Sequence, residues 1–222
     1  MSTYVLMRIL ESAPRRYELG IRLLTLGRLE KAYDRLANHI KRGQQILDIG
    51  CGTGALTLRA AQRRGKVKGI DINAQMLEIA GQRVHEAGLT EAVDLVEMGV
   101  AELDGEEAQR YDVVMSGLCF SELSEDEVTY TLKEVVRILR PGGLLLIADE
   151  IKPQCFVKRL IHSLIRVPLA ALTYLITQQK THPISNLSER LTDAGLLIVS
   201  AHLSPLGSFG EFVARKPAGT SS

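Results

Sequence analysis

The chain has 222 residues, 45% apolar and 24% charged, which suits one globular domain with an appendage and excludes a disordered chain. Its 27 basic and 26 acidic side chains leave a formal charge of +1, so the basic excess that grips a long nucleic acid is lacking. With no tryptophan and only 5% aromatics, a base-stacking platform lacks its material as well.

The three cysteines, Cys51, Cys119 and Cys155, are odd in number and far apart with no C-x-x-C pair, which indicates neither a disulfide framework nor a zinc ribbon. Residues 1–10 lack the apolar core and cleavage site of a signal peptide. The longest charge-free apolar stretch, residues 167–179, is shorter than the ~20 residues that span a bilayer. The expectation is a soluble, cytoplasmic protein with no transmembrane segment.

In chain order, residues 1–43 read as helical, with Leu19, Leu23, Leu26 and Leu29 at spacings of three to four. From residue 44 onward, β-rich runs at 45–49, 67–72, 92–97, 111–116, 143–148, 195–203 and 210–214 punctuate the chain. Helical patterns at 56–63, 75–87 and 125–139 lie between the first five. That alternation implies right-handed βαβ crossovers and a mostly parallel sheet, a doubly wound α/β fold. The last two strands are separated only by a short stretch with Pro205 and Gly207, so they are expected to form an antiparallel hairpin at one edge. Residues 151–191 interrupt the rhythm with Pro153, Pro168 and Pro183, far beyond the usual connection of about two to six residues. The expected organisation is a helical lid at 1–43, a domain at 44–216 with a helical insertion at 151–191, and a disordered tail at 217–222.

The strongest motif is Ile46-Leu47-Asp48-Ile49-Gly50-Cys51-Gly52-Thr53-Gly54, placed where a buried strand turns into a helix. Glycines there permit tight backbone angles and close approach of a ligand, and the following helix N-terminus favours an anionic group. By itself this fits the G-x-G-x-x-G/A pattern of dinucleotide folds through Gly50, Gly52 and Ala55, or simply a tight turn. Asp48 weighs against a pyrophosphate, which it would repel, and for a ligand with an ammonium group. Asp71, ending the next strand, suits two ribose hydroxyls. An amino acid joined to a nucleoside has those parts, as S-adenosylmethionine (SAM) does.

With these residues the chain resembles class I SAM-dependent methyltransferases of the type that includes quinone-biosynthesis enzymes, with a Rossmann-like seven-stranded sheet. The resemblance runs over roughly residues 16–213. Besides the glycine loop and Asp71, it is carried by residues 98–103, Tyr111-Asp112-Val113-Val114 and Leu139-Arg140-Pro141-Gly142-Gly143. It implies that Gly50, Cys51, Gly52 and Gly54 line the methionine moiety with Asp48 near its amino group. It further implies that Asp71 holds the ribose and that Ile72 and Met76 pack on the adenine. Relatives usually offer an acid to the adenine in a Gly-Asp-Ala setting. Here the run is Gly99-Val100-Ala101, which leaves backbone groups to read the base edge. Ser116 to Leu118 would lie beside the sulfonium, and Tyr17, after Arg15 and Arg16, resembles the aromatic that closes over the cofactor.

Methyl transfer needs alignment and exclusion of water rather than a metal or a covalent intermediate, and no catalytic side chain is assigned. The Asn/Asp-Pro-Pro-aromatic run of DNA N-methylating relatives is missing after the fourth strand, where Ser116-Gly117-Leu118-Cys119-Phe120-Ser121-Glu122-Leu123 stands. Cys119 reads as a thiol nucleophile or a small apolar filler, Glu122 as a cap for the helix near Glu125, and Asp149 and Glu150 as a base, a cation site or loop charges. His182, beside Pro183, reads as substrate-facing or structural.

The expected acceptor is a small molecule or a protein-bound cofactor. A narrower resemblance, over residues 12–29, 117–127 and 168–182, is to methyltransferases named for association with corrinoid proteins, which implies a corrinoid-binding partner. Residues 156–179 read as a capping helix pair, a substrate lid, a partner-docking surface or a peripheral membrane contact. The competing readings are a SAM-binding or partner-docking protein without catalysis, and an NAD-dependent oxidoreductase.

Overall fold

The computed structural model describes residues 28–152, 183–205 and 207–218. In chain order the main elements are α1 (Arg28–Ala37), β1 (Gln45–Ile49), α2 (Ala55–Gln62), β2 (Lys66–Asp71), α3 (Ala74–Glu86), β3 (Val93–Glu97), β4 (Tyr111–Gly117), α4 (Glu125–Ile138), β5 (Leu139–Glu150), α5 (Leu187–Asp193), β6 (Leu197–Leu203) and β7 (Phe209–Arg215). They form one seven-stranded sheet of order β3-β2-β1-β4-β5-β7-β6. β1 to β5 pair in parallel, whereas β7 runs antiparallel to both β5 and β6. The order reverses direction between β1 and β4, where the carboxyl ends diverge and open α/β sheets bind ligands.

The two faces of the sheet explain why the strands read as nearly unbroken apolar runs. Leu47, Ile49, Val114, Leu145, Ile147, Phe212 and Ala214 point to one face, where Val128, Leu132, Val135 and Ile138 of α4 meet them. Ile46, Val113, Met115, Leu146, Ala148 and Val213 point to the other, under α1 and α2. Both faces are covered, as a parallel sheet requires. α4 begins at a capping box: the Ser124 hydroxyl accepts from the Glu127 amide, and the Glu127 carboxylate accepts from the Ser124 amide at 2.8 Å.

The expected elements recur with shifted ends. β5 starts at Leu139 rather than residue 143, because Gly142 at φ +79° and the register shift between Tyr111 and Val113 absorb the Arg140-Pro141-Gly142 turn within the ladder. β6 starts at Leu197 instead of 195, since Gly195 closes α5 with φ +88°. The two ends of the insertion meet beside the sheet: Ile151 and Ile184 form a parallel bridge at the end of β5. Of residues 1–43, those described form α1 and a turn into β1. The residues between 152 and 183 lie outside the described set, as do Cys155, His182 and the apolar run at 167–179. No helix among the described residues is long and apolar enough to cross a membrane.

Candidate functional site

The glycine loop after β1 is held in place before any ligand arrives. Gly50, Gly52 and Gly54 have φ of +66°, +52° and +78°, a left-handed region that side chains rarely adopt. Gly50 is constrained twice, since a Cβ there would stand 2.5 Å from both Cβ and Sγ of Cys119. The Cys51 amide donates to the Ile70 carbonyl at 2.9 Å, and the Gly52 amide donates to Asp71 Oδ2 at 2.8 Å. Asp71 Oδ1 accepts from the Asn73 amide at 2.9 Å. One carboxylate thus clips the loop after β1 to the loop after β2, and each oxygen keeps a second lone pair. Asn73 then caps α3 by accepting from the Gln75 and Met76 amides. From α3, Arg83 reaches back to the Thr53 carbonyl and hydroxyl, both at 3.1 Å.

Asp48 lies beneath this loop and not on its surface. It is 1% exposed, its Oδ2 accepts from the Thr57 hydroxyl at 2.5 Å, and its Oδ1 has no partner. Burial pushes its carboxyl up to about 7, helped by the nearby Asp71 charge and opposed by the Thr57 hydrogen bond. Asp48 therefore joins β1 to the first turn of α2 and acts on the loop from behind.

After β3 the chain enters a 3₁₀ turn at Val100–Gly105. Glu102 Oε1 accepts from the Gly99 amide at 3.0 Å, which occupies that donor. The N–H groups of Val100 and Ala101, at the start of the turn, have no intrahelical acceptor, and both residues line the cavity. The side chain that relatives supply as an acid is here the aliphatic Val100.

The end of β4 forms the opposite wall. The Ser116 hydroxyl donates to the Ile49 carbonyl at 2.9 Å, inside the sheet and away from the cavity. A Cβ on Gly117 would overlap the Tyr33 ring, so only glycine lets α1 lie this close. Leu118 holds φ +59°, an unusual and strained value for a branched side chain, with its amide bonded to the Ala148 carbonyl at 2.9 Å. Behind this loop the fully buried Asp149 accepts from the Ser121 and Glu150 amides at 3.3 and 2.7 Å, and burial lifts its carboxyl to about 7. Burial raises the thiols of Cys51 and Cys119 too, so neither is a ready thiolate, and Cys119 serves as packing against Gly50. Glu122 does not cap α4, because Ser124 does. It lines the cavity while remaining exposed at the surface, and desolvation in the cavity wall together with the nearby Asp149, Asp71 and Glu150 pushes its carboxyl up to about 7.

These walls enclose a cavity of about 960 Å³. Among the residues singled out by sequence, Gly50, Cys51, Gly52, Asp71, Ile72, Met76, Gly99, Val100, Ala101 and Leu118 line it. Asp48, Gly54 and Ser116 stand just behind the lining, and Tyr17 lies outside the described residues. Two contributors were expected only coarsely, α1 as part of the helical lid at 1–43 and Glu122 as a helix cap. One is α1, whose Leu29, Glu30 and Tyr33 line the cavity and which Arg59 ties to α2 through Glu30 and through Asp34 at 2.7 Å. Its signal was present, since Leu29, Tyr33 and Leu36 share one face at helical spacing, but nothing in the pattern says that this face reaches β4. The other is Glu122, whose place on the wall follows from Ser124 taking the capping role.

Sheet order and switch-point cavity together are those of a SAM-type methyltransferase domain, and residues 46–143 match the family described as methyltransferase domain. Over those residues the chain is a methyltransferase domain of the class I SAM-dependent type, the class whose cofactor is SAM.

Its relatives include the ubiquinone/menaquinone biosynthesis C-methyltransferase UbiE of Pseudoalteromonas translucida (strain TAC 125), 28% identical over 151 residues. That match covers 66% of this chain and 59% of the relative, so the chain spans less than two thirds of the relative's length. Among solved structures, the cyclase SpnF superposes with a TM-score of 0.68 at 19% identity, covering 86% of this chain and 81% of SpnF. Geranyl diphosphate methyltransferase in complex with SAM gives a TM-score of 0.63 at 17% identity, covering 84% of this chain and 85% of that one. At those identities the likeness is one of fold.

Proposed function

We propose that this protein transfers the methyl group of SAM to a small, uncharged acceptor of the hydroquinone type. The observation that carries the reading is the charge of the cavity. Glu30, Asp71, Glu97, Glu122 and Glu127 face it, and no lysine, arginine or histidine is among its described lining residues. A dinucleotide would bring its pyrophosphate into a field of like charge, whereas a sulfonium and an ammonium group meet opposite charge. The same field disfavours acceptors that carry carboxylate or phosphate groups. Ile49, Ile70, Met98, Leu118 and Leu123 supply an apolar lining that suits an uncharged ring. The similarity to UbiE, a quinone-biosynthesis C-methyltransferase by its name, supports the hydroquinone class.

In this reading Asp71 takes the ribose hydroxyls on its spare lone pairs, and Val100 and Ala101 offer N–H groups to the adenine. Ile72 and Met76 pack on the base, while Gly50, Cys51 and Gly52 admit the methionine end. When bound, SAM supplies a methyl group already activated on a positively charged sulfur. The chain's own work is then to align the acceptor and keep out water, and alignment alone lowers such barriers by about 7–11 kcal/mol. α1, lying over Gly117 through Tyr33, closes one side.

A protein-bound acceptor is the second reading. Of the three stretches resembling corrinoid-associated enzymes, residues 117–127 form the β4 wall described above, and the other two lie almost wholly outside the described residues. A corrinoid-binding partner would have to approach that wall.

The experiment is transfer of tritiated methyl from SAM to 1,4-naphthohydroquinone, with the product identified by mass spectrometry and Asp71→Ala as control. A C-methylated product that the control lacks is expected. SAM binding with no transfer to this acceptor or to a corrinoid protein would instead define a SAM-binding protein without catalysis.

A further inference from the structure

α1 precedes β1 and so stands outside the strand–helix alternation that builds the sheet, yet its Leu29, Glu30 and Tyr33 line the cavity. Whatever holds α1 in place therefore shapes the cavity. Leu29, Ala32, Tyr33 and Leu36 form the apolar stripe that lies on the sheet. Such a stripe recurs at every turn, so burial alone distinguishes weakly between this placement and one shifted by a turn, about 5.4 Å. Polar contacts have to settle it.

Two sets of ion pairs reach the helix. On one side Arg59 of α2 meets Glu30 and Asp34, whose side chains are 48% and 65% exposed, so water screens both pairs. On the other side Arg35 grips Glu211 of β7 with two hydrogen bonds, Nε to Oε2 at 2.7 Å and Nη2 to Oε1 at 2.5 Å. Glu211 is only 7% exposed and Arg35 is half-exposed. Among the described residues the hydrogen bonds to this carboxylate come from Arg35 alone. The bidentate geometry admits one relative placement of the two groups.

Glu211 is also out of keeping with its own strand. Along β7 the face toward α1 carries Phe209, Glu211 and Val213, and the ladder neighbours of Glu211 are Ala148 on β5 and His202 on β6. An aliphatic side chain would pack there as well, whereas a buried carboxylate without its partner is costly. Ion pairs taken out of water add little stability over apolar residues of the same size, and their best-attested use is to fix register.

We propose that Glu211 is a positioning residue for cofactor binding: acting through Arg35, it fixes where α1 lies and hence the wall that Leu29, Glu30 and Tyr33 give the cavity. The inference rests on the SAM reading above. It adds that the antiparallel C-terminal hairpin, far from the glycine loop in sequence, sets the affinity for the cofactor.

The test separates position from stability. SAM affinity by calorimetry and melting temperature are measured for the wild type, Glu211→Gln and the double variant Arg35→Met with Glu211→Leu, which replaces the pair by apolar side chains. If the pair only stabilises, a variant kept well below its melting temperature binds as the wild type does. The double variant is expected to melt within about 3 °C of the wild type or above it. It is nevertheless expected to bind SAM about five- to tenfold more weakly, and Glu211→Gln, which keeps one acceptor for Arg35, about threefold more weakly. Hydrogen exchange of residues 28–37 in the SAM-free protein should quicken in the double variant while β1 and β4 keep their rates. SAM affinity within about twofold of the wild type in both variants overturns the assignment. A loss of affinity that appears only in step with a fall in melting temperature overturns it too. If the double variant does not fold, Glu211→Gln is judged by the same measures. A wild type that does not bind SAM overturns instead the reading on which the inference rests.

Discussion

At the β1–β2–β3 end of the cavity the polar groups are mostly bound to one another: Asp71 to two amides, Asn73 to two more, Glu102 to Gly99, Arg83 to Thr53. At the β4–β5 end the arrangement is reversed. Among the described residues Glu122 has no partner, Asp149 is buried with its carboxyl lifted to about 7, and Leu118 is held in a left-handed conformation. The first end is a finished frame whose geometry is complete without ligand. The second holds carboxyls raised above their ordinary range and a strained backbone position at Leu118.

The sharpest way to break this contrast is at the frame. Gly50→Ala forces a side chain onto a φ of +66° and into Cys119, and is expected to cost about 3 kcal/mol. In a domain of this size that lowers the melting temperature by roughly 6–12 °C, read by calorimetry. Adding Cys119→Gly recovers the steric part and leaves the backbone part. A single variant that melts with the wild type would show that the loop is not prebuilt.

Asp71→Ala comes next. It removes the ribose acceptor and the clip between two loops together, and SAM affinity should fall about 10- to 100-fold, as for loss of charged hydrogen bonds. Asp71→Asn, which keeps one carbonyl acceptor, should fall between. Equal affinity in all three proteins would place the nucleoside elsewhere.

Asp48 tests how far the frame depends on pH. Its carboxyl is raised in the folded state, so folding favours the protonated form. The contribution is full below the unfolded value of about 4 and is lost as pH climbs through about 7. Thermal stability of the wild type should therefore decline from pH 4 to 7, and Asp48→Asn should flatten part of that slope. The remainder belongs to Asp149 and Glu122, whose carboxyls are raised in the same direction. A slope identical in wild type and variant would mean that Asp48 stays ionised.

The smallest effect is expected at the reactive wall. Leu118→Gly relieves the strained φ and loses one side chain from the lining, so stability changes by less than about 1 kcal/mol. SAM affinity should nevertheless fall measurably by calorimetry, because the wall is no longer held. If affinity is unchanged, the strain has no part in positioning.

How much of this was legible in the sequence follows the same division. The loop after β1 was readable because three left-handed positions demand glycine within nine residues, and Asp71 because an acid ending a strand after such a loop has few other uses. The sheet was readable from period, and the antiparallel edge from the short Pro205–Gly207 connection. Strand ends were less so, since Gly142 and Gly195 act as turns inside or beside the ladder rather than as boundaries. The role of α1 depends on contact between Tyr33 and Gly117, 84 positions apart in the chain, which no local pattern encodes. Glu122 resembled a cap in the sequence because the turn, Ser124 and Glu122 all precede α4. Only the observed capping box shows that Ser124 fills that role.

The central claim, that the cavity receives a positively charged adenosyl ligand, is tested most directly by titrating the protein at pH 8 with SAM and, separately, with NAD. The account predicts saturable one-to-one binding of SAM and no heat from NAD at high micromolar concentration. NAD binding at the glycine loop, or a flat SAM titration, would contradict it.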